Sequence, residues 1–394
     1  MLGQPEPRGD VAHRATRPVR VVPLDVLRAA AIALVFGSHL PTPTTPLPAG
    51  LDTFFLFWKR FGWTGVDLFF VLSGFLVSGL LFREYATTGA IRPGRFLIRR
   101  GLKIYPAFYV LFVVTLVVRH ELAIPTGVWA TIGEAAFLQN YHYGLWGHTW
   151  SLAVEEHFYI LLVVALTSIV AVSRSPFRVL ERIFIAVPIV VLGLRIATHV
   201  LLPFQHHTHH WPTHLRIDSL LFGVSLAYLE HLKPARFAAL LRWRIPLLCV
   251  GVLGLIPPLF LPADHPFVHT IGYTLLYVGY GSILIFALGQ PPARFGWSRA
   301  GLRWTAALGA YSYSIYLWHV PFTAWIMPAV IRTVRGPFLV TVAFQCVGAG
   351  LAGVLLARLI EFPVLRLRDR FFPSRVDAAV TPATSVPDAP PALT

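Results

Sequence analysis

Arg28 and His39 lie in an apolar stretch, LRAAAIALVFGSHL, whose only other polar residue is Ser38. In a helix they would be about three turns and about 16 Å apart on one face. An arginine at the centre of a membrane helix costs about 2.5–3.5 kcal/mol, so such residues are functional candidates. An imidazole exchanges protons near neutral pH, which makes His39 a candidate acid–base group. The helix alone also allows Arg28 to reach the interface or pair with Asp25, and His39 to be interfacial.

A candidate acid lies in the stretch TWSLAVEEHFYILL, Thr149 to Leu162. Ser151, Glu155 and Tyr159 are spaced four residues apart and share a helix face. Glu156 points about 100° away from Glu155, so one carboxylate is expected to face the interior of a helix bundle. A carboxylate beside an imidazole can orient it or accept its proton. The helix dipole also favours an acid near a helix start, which is the structural alternative.

A cluster of basic residues precedes an apolar run in RFLIRRGLKIYPAFY. Arginines grip phosphate oxygens in a fork geometry, which favours a phosphate-binding site. The same charges could anchor a membrane helix on its cytoplasmic side, and their spacing alone does not separate the two interpretations. The cluster consists of Arg95, Arg99, Arg100 and Lys103.

Other polar residues lie near the ends of apolar runs. Asp67 lies near the outer end of Gly62 to Phe82, where it could pair with a cation; this stretch is rich in small residues, which predicts close helix packing. Asp218 stands two residues after Arg216, and His319 lies inside the run YSYSIYLWHVP. The histidine-rich loop HHTHH has no zinc-ligand spacing and no accompanying Cys or acid, so no metal is predicted there.

Membrane helices are expected to hold these groups in place. Only 13% of the 394 residues are charged, against about a quarter in soluble domains, and the mean hydropathy is +0.64. We therefore predict an all-α, polytopic membrane helical bundle. Ten spans are predicted, at about 22–40, 62–82, 104–119, 150–172, 183–202, 216–232, 245–261, 267–289, 305–326 and 337–359.

Charge placement predicts the orientation of this bundle. Most of the 33 Lys and Arg residues fall in alternate inter-helix segments and the N-terminal tail, which predicts cytoplasmic termini. The net charge of +15 is thus a topology signal and not a nucleic-acid footprint. The predicted organisation is a basic cytoplasmic tail at 1–21, a transmembrane domain at 22–372 and a disordered, Pro/Ala/Thr-rich cytoplasmic tail at 373–394. Two cysteines inside predicted spans imply no disulfide framework.

Together these stretches resemble the acyltransferase-3 family of integral membrane O-acyltransferases, from about Val22 to Arg370. Arg28 and His39 match the family's arginine and histidine separated by ten residues. Lys103 departs from the RRxxRIxP motif by replacing its third arginine, which keeps the charge and loses the fork. The other matches are GxxGVxxFFVLSGFL at Gly62 to Leu76, WSLxxExxFY at Trp150 to Tyr159, YSxYLWHxP at Tyr313 to Pro321, and ExP at Glu361 to Pro363.

The resemblance implies transfer of an acyl group, usually acetyl, from an acyl-coenzyme A to a hydroxyl. Expected acceptors are envelope sugars or polysaccharides, and alternatively macrolide-type molecules; the expected location is the bacterial inner membrane, and no metal is expected. Many members carry an extra extracytoplasmic hydrolase-like domain, whereas this chain is expected to be a stand-alone form.

The resemblance also assigns site residues. The basic cluster would hold the donor phosphates, with Arg28 at a phosphate or the pantetheine arm. His39 would act as general base or be acylated itself. The WSLxxExxFY motif selects Glu155, which would orient His39. Backbone groups or the Ser73 hydroxyl would serve the oxyanion. Further substrate or support residues are Asp67, Ser151, Tyr159, Asp218 and His319.

Two other classes of protein are compatible with polar residues inside spans. A proton or solute transporter could use Arg28, Asp67, Glu155 and His319 as a relay, although no inverted repeat is visible. A catalytically silent scaffold for envelope assembly is the other, and the presence of the motif residues argues against it.

Overall fold

A computed structural model describes residues 22–43, 47–290, 299–334 and 336–373. Helices and no strands occur within these ranges, which confirms the predicted all-α class. The tails predicted at 1–21 and from 374 onward lie outside the described residues. The α-helices are α1 (Val22–Ser38), α2 (Ala49–Phe61), α3 (Gly65–Thr88), α4 (Pro93–Glu121), α5 (Val128–Ala135), α6 (Trp150–Val172), α7 (Pro176–Leu201), α8 (Ile217–Leu232), α9 (Pro234–Arg242), α10 (Arg244–Phe260), α11 (Tyr273–Leu288), α12 (Arg299–Ala310), α13 (Ser312–Trp325), α14 (Met327–Val334), α15 (Phe338–Leu356) and α16 (Phe362–Phe371).

Six helical segments of the described chain are long and apolar enough to cross a membrane, so the chain is an integral membrane protein. Two further helix pairs, α9 with α10 and α13 with α14, qualify only as bent spans, with bends of 71° and 50°. The helices α1 and α8 have 17 and 16 residues, short of the roughly 20 that a bilayer needs. Six to eight spans are therefore supported, and the ten spans and cytoplasmic termini stay predictions. The six segments are Ala49–Thr88, Pro93–Glu121, Trp150–Val172, Pro176–Leu201, Val268–Leu288 and Phe338–Phe371.

The glycines of α3 bring its backbone against two neighbouring helices, as the small-residue pattern predicts. A Cβ atom at Gly74 would overlap the Leu220 carbonyl of α8, and one at Gly65 would overlap the Ala31 carbonyl of α1. Only glycine allows such an approach, which places α3 between α1 and α8. This packing fixes Asp67 and the partly buried Ser73 within the bundle.

Three helical segments contain a π-helical turn, a form that often occurs at functional sites. These turns are His206–His210, Val268–Gly272 and Ala357–Glu361. The first two contribute buried histidines, and the third contributes the buried carboxylate of Glu361.

Candidate active site

The basic end of the site is built by α3, α4 and α6 around Glu155. Its carboxylate Oε2 accepts hydrogen bonds from the Ser73 hydroxyl at 3.0 Å and from the Arg100 guanidinium at 3.2 Å. The Tyr159 hydroxyl also hydrogen-bonds to Glu155 and receives a bond from Arg100. The Arg100 guanidinium lies 4.1 Å above the ring of Tyr159. The four side chains thus form one connected network of charge-assisted hydrogen bonds.

Two more cations at this end are paired at longer distance. Lys103 Nζ lies 3.8 Å from Glu361 Oε1, and Ser314 donates a 2.6 Å hydrogen bond to the same carboxylate group. Arg28 lies 3.7 Å from Asp25 within α1, as the sequence predicts. Both distances exceed ordinary hydrogen-bond length, so these cations keep donor capacity for a ligand.

The remaining members of the predicted basic cluster lie at the edge of this end. Arg99 pairs with Asp369 at 3.2 Å and also donates to the Phe372 carbonyl. Arg95 lines an adjoining cavity of about 150 Å³, and one of its guanidinium nitrogens is buried without a partner. The predicted cluster therefore divides into an inner pair, Arg100 and Lys103, and an outer pair, Arg95 and Arg99.

A cavity of about 350 Å³, which we call the main cavity, begins at this basic end. One acidic side chain, Glu155, lines it, along with apolar residues of α3 and α4. Ser151 and Tyr316 also contribute to its wall. Such an excess of positive charge attracts an anionic ligand. The lining cations are Arg28, Arg83, Arg99, Arg100, Lys103 and Arg368.

Three imidazoles, the histidine cluster, gather behind that wall: His39, His148 and His319. The ring centroids of His39 and His319 are 4.8 Å apart, and those of His148 and His319 are 5.3 Å apart. Gln345 donates a 2.7 Å hydrogen bond to the His39 carbonyl and holds the end of α1. Burial lowers the pKa of His148 to about 3, so this ring is neutral at physiological pH.

Tyr316 connects the main cavity to the histidine cluster. Its hydroxyl donates a 2.7 Å hydrogen bond to the His148 carbonyl and lies 2.6 Å from the Ser151 hydroxyl. Its ring centroid is 5.6 Å from that of His319 and 5.8 Å from that of His148. His39 itself does not line the main cavity as the structure describes it.

The structure separates two residues that the sequence placed together. Glu155 is bonded to Arg100, Ser73 and Tyr159, and no hydrogen bond between Glu155 and His39 occurs among the described residues. The predicted orientation of His39 by Glu155 is therefore corrected: His319 lies against the imidazole instead, with 3.4 Å between its Nε2 and His39 Nδ1. The reason is axial distance, since Glu155 lies at the level of Arg100.

Ser73 and the adjacent acids Glu155 and Glu156 also lie at or near the basic end. Ser73 donates its hydroxyl hydrogen to Glu155, so that hydrogen does not face an oxyanion in this arrangement. The two adjacent acids diverge as predicted: Glu156 accepts a 2.9 Å hydrogen bond from Tyr105, and only Glu155 lines the main cavity.

Asp67 and Asp218 belong to a separate buried group, which we call the paired-arginine cluster. Arg216 lies 2.6 Å from Asp67, and Arg195 lies 2.5 Å from Asp218. All four side chains have 0% exposure, and the Arg216 guanidinium lies 4.0 Å above the Tyr273 ring. Neither acid lines the main cavity, so the structure places them as supports of the fold.

Sequence reasoning missed several of these groups. Arg195 carried the same signal as Arg28, a lone arginine within an apolar helix. Tyr316 lies inside the YSYSIYLWHVP run, and His148 lies two residues before Trp150. The local sequence does not mark their hydrogen-bond partners, because those partners come from distant segments of the chain.

Comparisons with known proteins find sequences similar to this chain. A family model described as an acyltransferase domain, the acyltransferase-3 model, matches residues 22–358. The O-acetyltransferase OatA of Staphylococcus aureus strain NCTC 8325 / PS 47 is 26% identical over 323 residues, which cover 77% of this chain and 50% of that protein. The "Putative O-acetyltransferase SACOL0978" of strain COL is 31% identical over 230 residues, covering 54% of this chain and 35% of that protein. The chain thus spans half or less of these relatives' length, and no solved structure matches it.

Proposed function

The chain belongs to the acyltransferase-3 family, and on that premise we propose that it transfers an acetyl group from acetyl-coenzyme A to a hydroxyl of an envelope sugar or polysaccharide. The observation that carries this proposal is the main cavity, which is lined by six cations and adjoins three imidazoles through Tyr316. The names of the relatives support O-acetylation as the reaction.

The donor fits the basic end of the main cavity by charge. Coenzyme A carries several phosphate groups, and guanidinium groups bind phosphate oxygens through paired hydrogen bonds. Arg100, Lys103 and Arg28 are held by acids at 3.2–3.8 Å, which fixes their positions and leaves donors for the ligand. The apolar walls of Leu72 and Leu76 would contact the pantetheine arm on its way toward Ser151 and Tyr316.

The hydrogen bonds around His39 define its tautomer. Its Nδ1 lies 3.0 Å from the Val35 carbonyl and 3.0 Å from the Ser38 hydroxyl, whose own hydrogen is donated to Val35. His319 Nδ1 lies 2.6 Å from the Tyr316 carbonyl, so its Nε2 offers a lone pair toward His39. Every neighbour of His39 Nδ1 is an acceptor, which places the hydrogen there and leaves Nε2 basic.

This tautomer suits general-base catalysis. The acceptor hydroxyl would give its proton to His39 Nε2 while its oxygen bonds to the thioester carbon. Collapse of the tetrahedral intermediate would break the carbon–sulfur bond, and the imidazolium would return the proton to the leaving sulfur. Alternatively, the same lone pair could attack the thioester and expel the thiolate, which leaves the acetyl group on His39; the acceptor hydroxyl would then take the acetyl group from His39, and its proton would go to the thiolate. In either route the acetyl group passes Tyr316.

We further propose that the basic end faces the cytoplasm of a bacterial inner membrane. The excess of Lys and Arg near that end supports this orientation, since such residues concentrate in cytoplasmic loops. The soluble donor would then enter at the basic end, and the glycan would approach from the His39 end.

The test uses purified protein in nanodiscs, given acetyl-coenzyme A and envelope glycan fragments. Release of free thiol measures transfer by the purified protein. In a separate experiment, mass spectrometry of surface glycans from cells with and without the protein identifies the acceptor. His39→Ala should lower the rate about 10²–10⁴-fold, because a general base contributes that much. His120→Ala is the matched control, since its ring is 87% exposed. Near-normal turnover by His39→Ala would overturn the assignment, and absence of any thiol release by the wild type would favour a transporter.

A further inference from the structure

Three histidines outside the proposed active site converge from separate segments. His199 lies in the last turn of α7, His209 in the π-helical turn His206–His210, and His269 in the turn Val268–Gly272 before α11. One ring nitrogen from each lies within 4.8 Å of the other two. His269 Nε2 and His199 Nδ1 are 3.0 Å apart. In a tetrahedral zinc site, ligand nitrogens lie about 2.0–2.1 Å from the ion and therefore about 3.3 Å from each other. The three rings would need to approach one another only slightly to bind such an ion.

The burial of these rings distinguishes them from ordinary surface histidines. His209 and His269 are each 2% exposed, and His199 is exposed. His209 Nε2 and His269 Nδ1 are buried without any hydrogen-bond partner. Buried polar atoms in proteins are nearly always paired, so the unpaired Nε2 of His209 calls for a ligand. His269 faces His199 through its other ring nitrogen, Nε2.

The tautomer of His209 suits metal ligation. Its Nδ1 lies 2.7 Å from the Thr208 hydroxyl, which donates its own hydrogen to the Gln205 carbonyl. The Gln205 N–H, which would need a lone pair on Nδ1, is farther away at 3.5 Å, so the shorter contact decides the tautomer. Thr208 therefore accepts the Nδ1 hydrogen, and the lone pair lies on the unpartnered Nε2. This is the second-shell pattern that orients metal-binding imidazoles. The Phe204 ring packs 5.2 Å from His209 and 5.0 Å from His269 and forms an apolar wall.

We propose that His199, His209 and His269 bind a divalent transition-metal ion, with Zn²⁺ as the best match to three imidazoles. The exposed side at His199 leaves the fourth position to water or to an external ligand. The ion would join α7, the loop before α8 and the start of α11, and so brace the segment that leads into Arg216. The HHTHH loop supplies only one of the three ligands, His209, so the loop by itself shows no zinc-ligand spacing. His199 and His269 come from other segments.

The site is independent of the acetyl-transfer proposal, because none of its three rings lines the main cavity. Metal binding by the purified chain can therefore succeed or fail whatever the acyl donor is, and the two proposals are tested by different measurements.

The experiment titrates Zn²⁺ into full-length protein that carries no polyhistidine tag and has been treated with chelator. Isothermal titration and elemental analysis should give one ion per chain, and Zn²⁺ should raise the melting temperature. Co²⁺ should give the visible absorption of a tetrahedral site. His199→Gln and His269→Gln should each weaken binding by about 100-fold or more, since even outer-shell changes cost 10–100-fold.

His207→Gln is the matched control, because His207 belongs to the same loop and contacts Tyr143 instead of the cluster. His199 is exposed, so its variant should fold even if the His269 variant does not. Stoichiometric binding that is lost in His199→Gln and kept in His207→Gln supports the site. No stoichiometric binding by the wild type, or equal loss in His207→Gln, overturns it.

Discussion

Arg100 and Arg216 both pair with an acid inside the bundle, yet their surroundings differ. Arg100 lies 3.2 Å from Glu155, is 17% exposed and lines the main cavity. Arg216 lies 2.6 Å from Asp67, has no exposure and lies beneath aromatic rings. A desolvated charge requires a close partner, because burying a charge without one costs several kcal/mol of folding free energy. A charge beside a cavity can keep a looser partner and bind a ligand. Tight pairing and burial thus distinguish an arginine that stabilises the fold from one whose position allows it to bind a ligand in the main cavity.

The largest effect is expected at the paired-arginine cluster. Asp67→Ala leaves Arg216 buried without its acid, which should destabilise the protein by about 3–5 kcal/mol. Size-exclusion profiles and melting temperatures in detergent measure this loss. Asp25→Ala removes a longer, partly exposed pair and is the matched control. A stable Asp67→Ala variant that loses only activity would place Asp67 in the active site and contradict the purely structural role of its pair with Arg216.

A smaller effect, confined to donor binding, is expected at Arg100. Arg100→Ala removes a charge-assisted contact worth about 1.5–3 kcal/mol, so the KM for acetyl-coenzyme A should rise about 10–150-fold. Because the variant also frees Glu155, the double change Arg100→Ala with Glu155→Gln separates ligand binding from repulsion by the unpaired acid. Steady-state kinetics with varied donor concentration measure both variants. An unchanged KM would assign Arg100 to structure alone.

The smallest effect is expected at Arg99, whose partner Asp369 is 55% exposed. Exposed ion pairs contribute about 0–1 kcal/mol, so Arg99→Ala should leave the melting temperature nearly unchanged. The KM for the donor should rise a few-fold through loss of one cation at the cavity mouth. Asp369→Ala removes only the partner and should lower that KM or leave it unchanged. Equal increases in KM for both variants would show that the Arg99–Asp369 ion pair acts by holding the structure and not by contact of Arg99 with the donor.

Local patterns in the sequence determined much of this protein. The long apolar runs predict an all-helical membrane bundle, because a helix satisfies its backbone polar groups within one segment in lipid. Helical periodicity places Arg28 and His39 at opposite ends of one helix, and the glycines of α3 predict its close packing. The divergence of Glu155 and Glu156 also follows from the helical period. These features depend on neighbours along the chain.

The tertiary structure decided which side chains meet. The sequence places Glu155 with His39, whereas helix packing joins Glu155 to Arg100, 55 residues away, and His39 to His319, 280 residues away. Packing also pairs Arg216 with Asp67, which is 149 residues away in the sequence, and not with the nearby Asp218. It likewise gathers His199, His209 and His269 from three segments. Helix propensity and hydropathy act over a few turns, whereas these contacts depend on the axial level at which distant helices pack.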